Sequence, residues 1–154
     1  MNSLSGVVAG IERFGSVALV DVDVDDARSM LTATVIGIDP NNGDLNNGTR
    51  VNLRFAEMDV ALAKNLSGTI STRNRISCQV LEIESGQLLT RVLLSAPSSA
   101  ISSTNVATPY EVRTVLANFT AVITTRSSHS LGLTVGDYVE ALIKANEMRL
   151  EIVE

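Results

Sequence analysis

Ser71-Thr72-Arg73-Asn74-Arg75-Ile76-Ser77-Cys78-Gln79-Val80-Leu81-Glu82-Ile83 is the stretch from which the fold can be read. From Ile76 onward apolar and polar residues alternate, the period-two pattern of a strand with one buried face. The N-terminus opens in the same way, without the Ser and the Arg, as Asn2-Ser3-Leu4-Ser5-Gly6-Val7-Val8-Ala9-Gly10-Ile11-Glu12. Asn2, Ile11 and Glu12 recur as Asn74, Ile83 and Glu84, 72 positions on, whereas Gly48, Val51 and Leu62 recur as Gly136, Val139 and Leu150, 88 positions on. The second half is longer by the difference, 16 residues, gained in its middle. Two like halves are implied, residues 1–66 and 67–154, and only the second opens with a cation.

The first half reads as strands punctuated by turns. Gly6 to Glu12 is apolar enough for a buried strand, and Val17-Ala18-Leu19-Val20-Asp21-Val22-Asp23-Val24 alternates strictly. Leu31 to Ile36 is β-branched and precedes the loop chemistry of Asp39-Pro40-Asn41-Asn42-Gly43. Val51 to Phe55 alternates again, and Met58 to Ala63 supplies a fifth strand. Five short strands with little helix predict an all-β unit, a small barrel of the oligonucleotide/oligosaccharide-binding (OB) type. Repetition makes the chain two fused five-stranded OB-like barrels, too few copies for a solenoid. The surplus falls at about residues 96–111, within the polar run Ser95-Ala96-Pro97-Ser98-Ser99-Ala100-Ile101-Ser102-Ser103-Thr104-Asn105, read as a loop extending a hairpin.

Composition narrows the function. The 154 residues are 45% hydrophobic and 19% charged, enough to bury a core, with no Trp and 3% aromatics. A formal charge of -5 gives no general attraction for nucleic-acid phosphates or anionic lipid. No apolar run approaches the roughly 18–20 residues of a membrane span, and no secretory leader pattern follows Met1, so the expected location is the cytoplasm. Cys78 is the single cysteine, so no internal disulfide is expected. It sits in an alternating strand with no visible base, which reads as packing. His129 has no companion at ligand spacing, so no metal site is expected. Asp21, Asp23, Asp25 and Asp26 read as a solvated face, because the loop spacing of an EF-hand is missing. Ser127 or Ser128 reads as the cap of a short turn through Ser130.

Ser71-Thr72-Arg73-Asn74, together with Ile123-Thr124-Thr125-Arg126-Ser127-Ser128-His129-Ser130-Leu131-Gly132-Leu133, Val135-Gly136-Asp137 and Ala141-Leu142-Ile143-Lys144-Ala145, resembles the Mop (TOBE) family of molybdate- and tungstate-binding domains. The tandem arrangement covers nearly the whole chain and is similar to tandem cytoplasmic molbindins. It is also similar to the effector domain of molybdate-responsive repressors. The first half, with Asn47-Gly48-Thr49-Arg50-Val51 leading to Met58-Asp59-Val60-Ala61-Leu62-Ala63, looks like the C-terminal regulatory region of molybdate-importer ATPase subunits. The resemblance implies an oxyanion site at Ser71, Arg73, Thr124, Ser127, Lys144 and the Ala145 backbone. It implies molybdate or tungstate as the bound ligand, no organic cofactor, and a homo-oligomer, dimer or trimer, with sites between barrels of different chains. These dianions are fully deprotonated near neutral pH and only accept hydrogen bonds, so a site of Arg, Lys, hydroxyl and backbone N–H donors suits them.

The first half departs from that pattern. At the offset of 88 Lys144 corresponds to Ala56, and the residues before Asn2 offer no Ser and Arg. One donor set per chain is expected, with the first half as a partner barrel. Taken singly, Arg73 or Lys144 reads as a solvated surface charge; the repeat context is what raises either to a site residue. Three function classes follow. Binding of molybdate or tungstate for storage, homeostasis or sensing is the leading one, free-standing or as the regulatory domain of a molybdate importer's ATPase subunit. A nucleic-acid-binding OB-type module would need a basic groove and stacking rings. An enzyme would need a phosphate loop, nucleophile elbow or acid/base pair, none of which is present, so no catalysis is expected.

Overall fold

The computed structural model describes residues 1–25, 30–37, 45–97 and 116–153. Its strands are β1 (Asn2–Phe14), β2 (Val17–Val24), β3 (Met30–Ile36), β4 (Arg50–Phe55), β5 (Ala61–Ala63), β6 (Asn74–Ser85), β7 (Leu89–Pro97), β8 (Leu116–Thr124), β9 (Tyr138–Ile143) and β10 (Arg149–Ile152). One α-helix, α1 (Thr125–Leu131), and 3-10 turns at Glu57–Asp59 and Ala145–Glu147 complete them. The chain is all-β, in two five-stranded antiparallel sheets. In each, the edge strands approach one another, β3 to β10 and β5 to β8, so the sheet curls into an OB-like barrel.

The repeat is visible in the backbone. Each long first strand carries a bulge, with Ala9 as the extra residue between Val8 and Gly10 and Leu81 between Val80 and Glu82. Beside each bulge the chain turns at a glycine with positive φ, Gly48 (90°) or Gly136 (95°), a conformation a Cβ would disfavour. Its N–H donates to Val8 O or Val80 O, at 2.8 Å in both cases. The offset of 72 holds through β2 and β7, and 88 begins at β3 and β8, so the surplus lies in the β7–β8 connection. The Ser-rich run falls there, but Ser95 and Ala96 are buried in β7 and the remainder from residue 98 lies outside the described residues.

Two features depart from the reading of the sequence. Met58 and Asp59 are not strand; they form a 3-10 turn, and the fifth strand shortens to Ala61–Ala63. Alternation alone could not separate a turn followed by a strand from one continuous strand. The second feature concerns partners. The sheets run β10-β4-β1-β2-β3 and β5-β9-β6-β7-β8, so each half gives its fifth strand to the other's sheet. β10 lies against β4 with Leu150 opposite Leu53, and β5 lies against β9 with Leu62 opposite Ala141. One continuous apolar core results, running from Val8, Val20 and Val51 to Ile76, Val92 and Ile143. Phe55 and Phe119, one from each half, meet edge to face with centroids 6.0 Å apart.

The halves are also clasped by side chains. Asn2 is buried; its Nδ2 donates to Thr120 O at 2.8 Å and its Oδ1 accepts from Thr120 N at 2.9 Å. Asn74 does the same to Thr32, with Nδ2 donating to O at 2.9 Å and Oδ1 accepting from N at 2.7 Å. Thr32 and Thr120 lie on the edge strands β3 and β8, so each amide supplies the rung that the sheet lacks. Backbone groups buried at such an edge need a partner.

Among the described residues no helix is long and apolar enough to cross a membrane.

Candidate functional site

Arg73 and Lys144 leave adjacent strand ends. Asn74, the first residue of β6, is paired with Ile143, the last of β9, so the residues just beyond are Arg73 on one strand and Lys144 on the other. Both are exposed, and neither side chain makes an ion pair or a hydrogen bond among the described residues. This separates them from neighbouring cations. Arg75, two residues along, grips Glu140 with Nε and Nη2 at 2.8 and 2.9 Å, and this bidentate bond holds the Glu140 carboxyl below its usual range. Lys64 is engaged by Asp137 at 3.0 Å and by the carbonyls of Leu131 and Gly132. Asp137 is held low first by the Thr134 N–H and then by Lys64.

The rest of this edge supplies donors. Ser71 is exposed two residues before Arg73, and Ala145 opens the 3-10 turn for which Lys144 is the N-cap without a side-chain cap. The opening N–H groups of a helical turn have no acceptor within it. The register places one carboxylate near Thr32, that of Asp21, and it already accepts the Thr32 hydroxyl at 2.7 Å.

Thr124 and Ser127 lie elsewhere. Thr124 ends β8 opposite Leu89, the first residue of β7, and Thr90 pairs with Ser85 at the far end of the 12-residue β6. That separation is roughly 35 Å of extended strand. One chain therefore presents two partial donor groups: Ser71, Arg73, Lys144 and Ala145 at one end, Thr124 and Ser127 at the other. Thr124, not Ser127 or Ser128, caps α1; its Oγ1 accepts from Ser127 N at 3.1 Å and donates to Ser127 Oγ at 2.8 Å. The Ser127 O–H is left to donate outward. Arg126, exposed and unpaired among the described residues, adds in the first turn of α1 a cation that the motif reading did not include in the site.

The other reactive side chains have ordinary employments. Cys78 is buried, and burial pushes its thiol up to about 12, so no thiolate is offered near neutral pH. Asp25 pairs with Arg50, Asp23 is exposed, and Asp26 lies outside the described residues. His129 is exposed on α1, and no cluster of three or more His, Cys, Asp or Glu could hold a metal among the described residues.

A solved structure shares this fold. The crystal structure of the cytoplasmic molybdate-binding protein ModG, with molybdate bound, aligns over 99% of this chain and 96% of its own length, with a TM-score of 0.80 and 23% identity. The correspondence with ModG thus extends over both barrels. No family model and no curated protein matches the sequence.

Proposed function

We propose that the chain binds molybdate or tungstate without catalysis, for storage, homeostasis or sensing in the cytoplasm. The observation that carries this is the pair Arg73 and Lys144, two cations on adjoining strand ends with no carboxylate partner among the described residues. An unpaired cation pair is repulsive unless an anion or solvent screens it, and a tetrahedral dianion offers acceptors to both at once. The fold supports the same reading, because ModG is described as molybdate-binding and was crystallised with molybdate. The two partial donor groups suggest how a site is completed. The end with Arg73 and Lys144 of one chain, facing the end with Thr124 and Ser127 of another, would assemble all six donors, so the functional unit is a homo-oligomer, a dimer or trimer.

Calorimetric titration of one sample with molybdate, tungstate, sulfate and single-stranded DNA tests this. Saturable heat with the two large oxyanions and none with DNA is expected, together with about 2.7 kcal/mol of stabilisation at a hundredfold excess over the dissociation constant. Absence of both heat and thermal shift with either oxyanion sinks the reading.

The asymmetry between halves gives a second test. Ala56 occupies the same place before its 3-10 turn as Lys144 does, with φ -72°, ψ 148° against φ -64°, ψ 144°. A lysine is sterically admissible there, yet Met1 stands at the Arg73 position and Ile36 at the Thr124 position. Ala56→Lys should therefore leave the stoichiometry unchanged at one oxyanion per chain or fewer. A doubled stoichiometry would mean that the first half already holds the other donors.

A further inference from the structure

Asn74 has no solvent exposure, although it and its strand partner Ile143 stand one residue inside two exposed cations, Arg73 and Lys144. We propose that Asn74 is the positioning residue of the oxyanion site, a deepening of the function proposed above and resting on it. Its amide fixes the shared end of β6 and β9 against edge strand β3, and so sets where Arg73 and Lys144 stand. The connection is short. Arg73 is bonded directly to Asn74, and Lys144 follows Ile143, the strand partner of Asn74. The clasped residue, Thr32, also engages the Asp21 carboxylate through its hydroxyl at 2.7 Å. A single amide therefore locates the strand ends from which both cations leave.

The molecule contains its own control. Asn2 makes the same two bonds to Thr120, at 2.8 and 2.9 Å, and its strand partner is Phe55. Met1 and Ala56 stand where Arg73 and Lys144 would be. A purely structural role predicts equal behaviour of the two asparagines. A positioning role predicts that only one is coupled to the ligand.

Asn74→Ala and Asn2→Ala should lower the melting temperature to a similar extent, since each leaves one edge-strand N–H and C=O unpaired. With sodium molybdate as the probe, well below both midpoints, Asn74→Ala should bind about tenfold more weakly, a factor typical of coupled sites. Asn2→Ala should stay within about twofold, because Asn2 adjoins neither cation and its clasp at Thr120 lies four residues from Thr124 along β8. Wild-type amide hydrogen exchange supplies a readout without any variant. Coupling is reciprocal, so molybdate should slow exchange of the Thr32 amide more than that of the Thr120 amide. Equal loss of affinity in the two variants, or equal responses of the two amides in a chain that binds molybdate, overturns the role of Asn74 alone. A wild-type chain that takes up no molybdate overturns both this role and the function it rests on.

Discussion

Lys144→Ala should weaken molybdate binding by roughly 10- to 150-fold while leaving the fold untouched. A hydrogen bond to a charged group contributes about 1.5–3 kcal/mol, and about 1.4 kcal/mol corresponds to a factor of ten in affinity. The loss should reach the upper part of that range if the anion is desolvated between chains, because the second charge of the dianion is then left without a counter-charge. Stability should hardly change: Lys144 is exposed, and among the described residues its side chain makes no ion pair or hydrogen bond that the substitution could break. Arg149→Ala is the matched control. Arg149 is likewise exposed and unpaired among the described residues, but it lies on β10, the strand given to the first barrel, and its removal should leave affinity unchanged. Calorimetry of both variants beside the wild type decides the matter. If Lys144→Ala binds as tightly as wild type, or if both variants lose affinity alike, the cation pair is not the site and general surface charge accounts for any binding.

The strands were legible because a half-buried strand writes its geometry into the chain at period two. Val17–Val24 appears in the structure with the bounds that alternation gave it. The two offsets were legible for a related reason: the bulge and the glycine turn repeat with the same spacings as the residues that form them. Partner choice was not legible. Ala61–Ala63 and Arg149–Ile152 look the same in sequence whether each closes its own barrel or the other one, since a strand of three or four residues fits either edge. The donor residues could be named from a motif, but their separation into two ends follows from how β6, β7 and β8 run back and forth, a property of the sheet. Asn2 and Asn74 had a visible signal in their shared offset. It marked a repeat, and only the geometry turned it into a pair of clasps.

Neither half should fold when expressed alone, and the two should regain native structure when mixed. Residues 1–66 would keep β1 to β4 but lose β10, opening the β4 edge where Val51, Leu53 and Phe55 are now buried. Their own β5 would have no β9 to join. Residues 67–154 would lose β5 from the β9 edge and carry β10 unpaired. Both clasps would vanish at once, leaving the N–H and C=O of Thr32 and of Thr120 without the amides that now satisfy them. Each of these hydrogen bonds, exchanged for one to water, forfeits about 0.5–1.5 kcal/mol. The lost strand pairing, the Phe55–Phe119 contact and the apolar edge opened to water add to this, against the 5–15 kcal/mol that holds a typical domain together. The intact chain should accordingly melt in a single transition whose calorimetric and van't Hoff enthalpies agree. Each fragment should lack a cooperative melt by circular dichroism at low concentration, and an equimolar mixture should recover one whose midpoint rises with concentration. A fragment that melts cooperatively by itself near the temperature of the whole chain would mean that each barrel closes with its own fifth strand, and that the exchange contributes little to holding the protein folded.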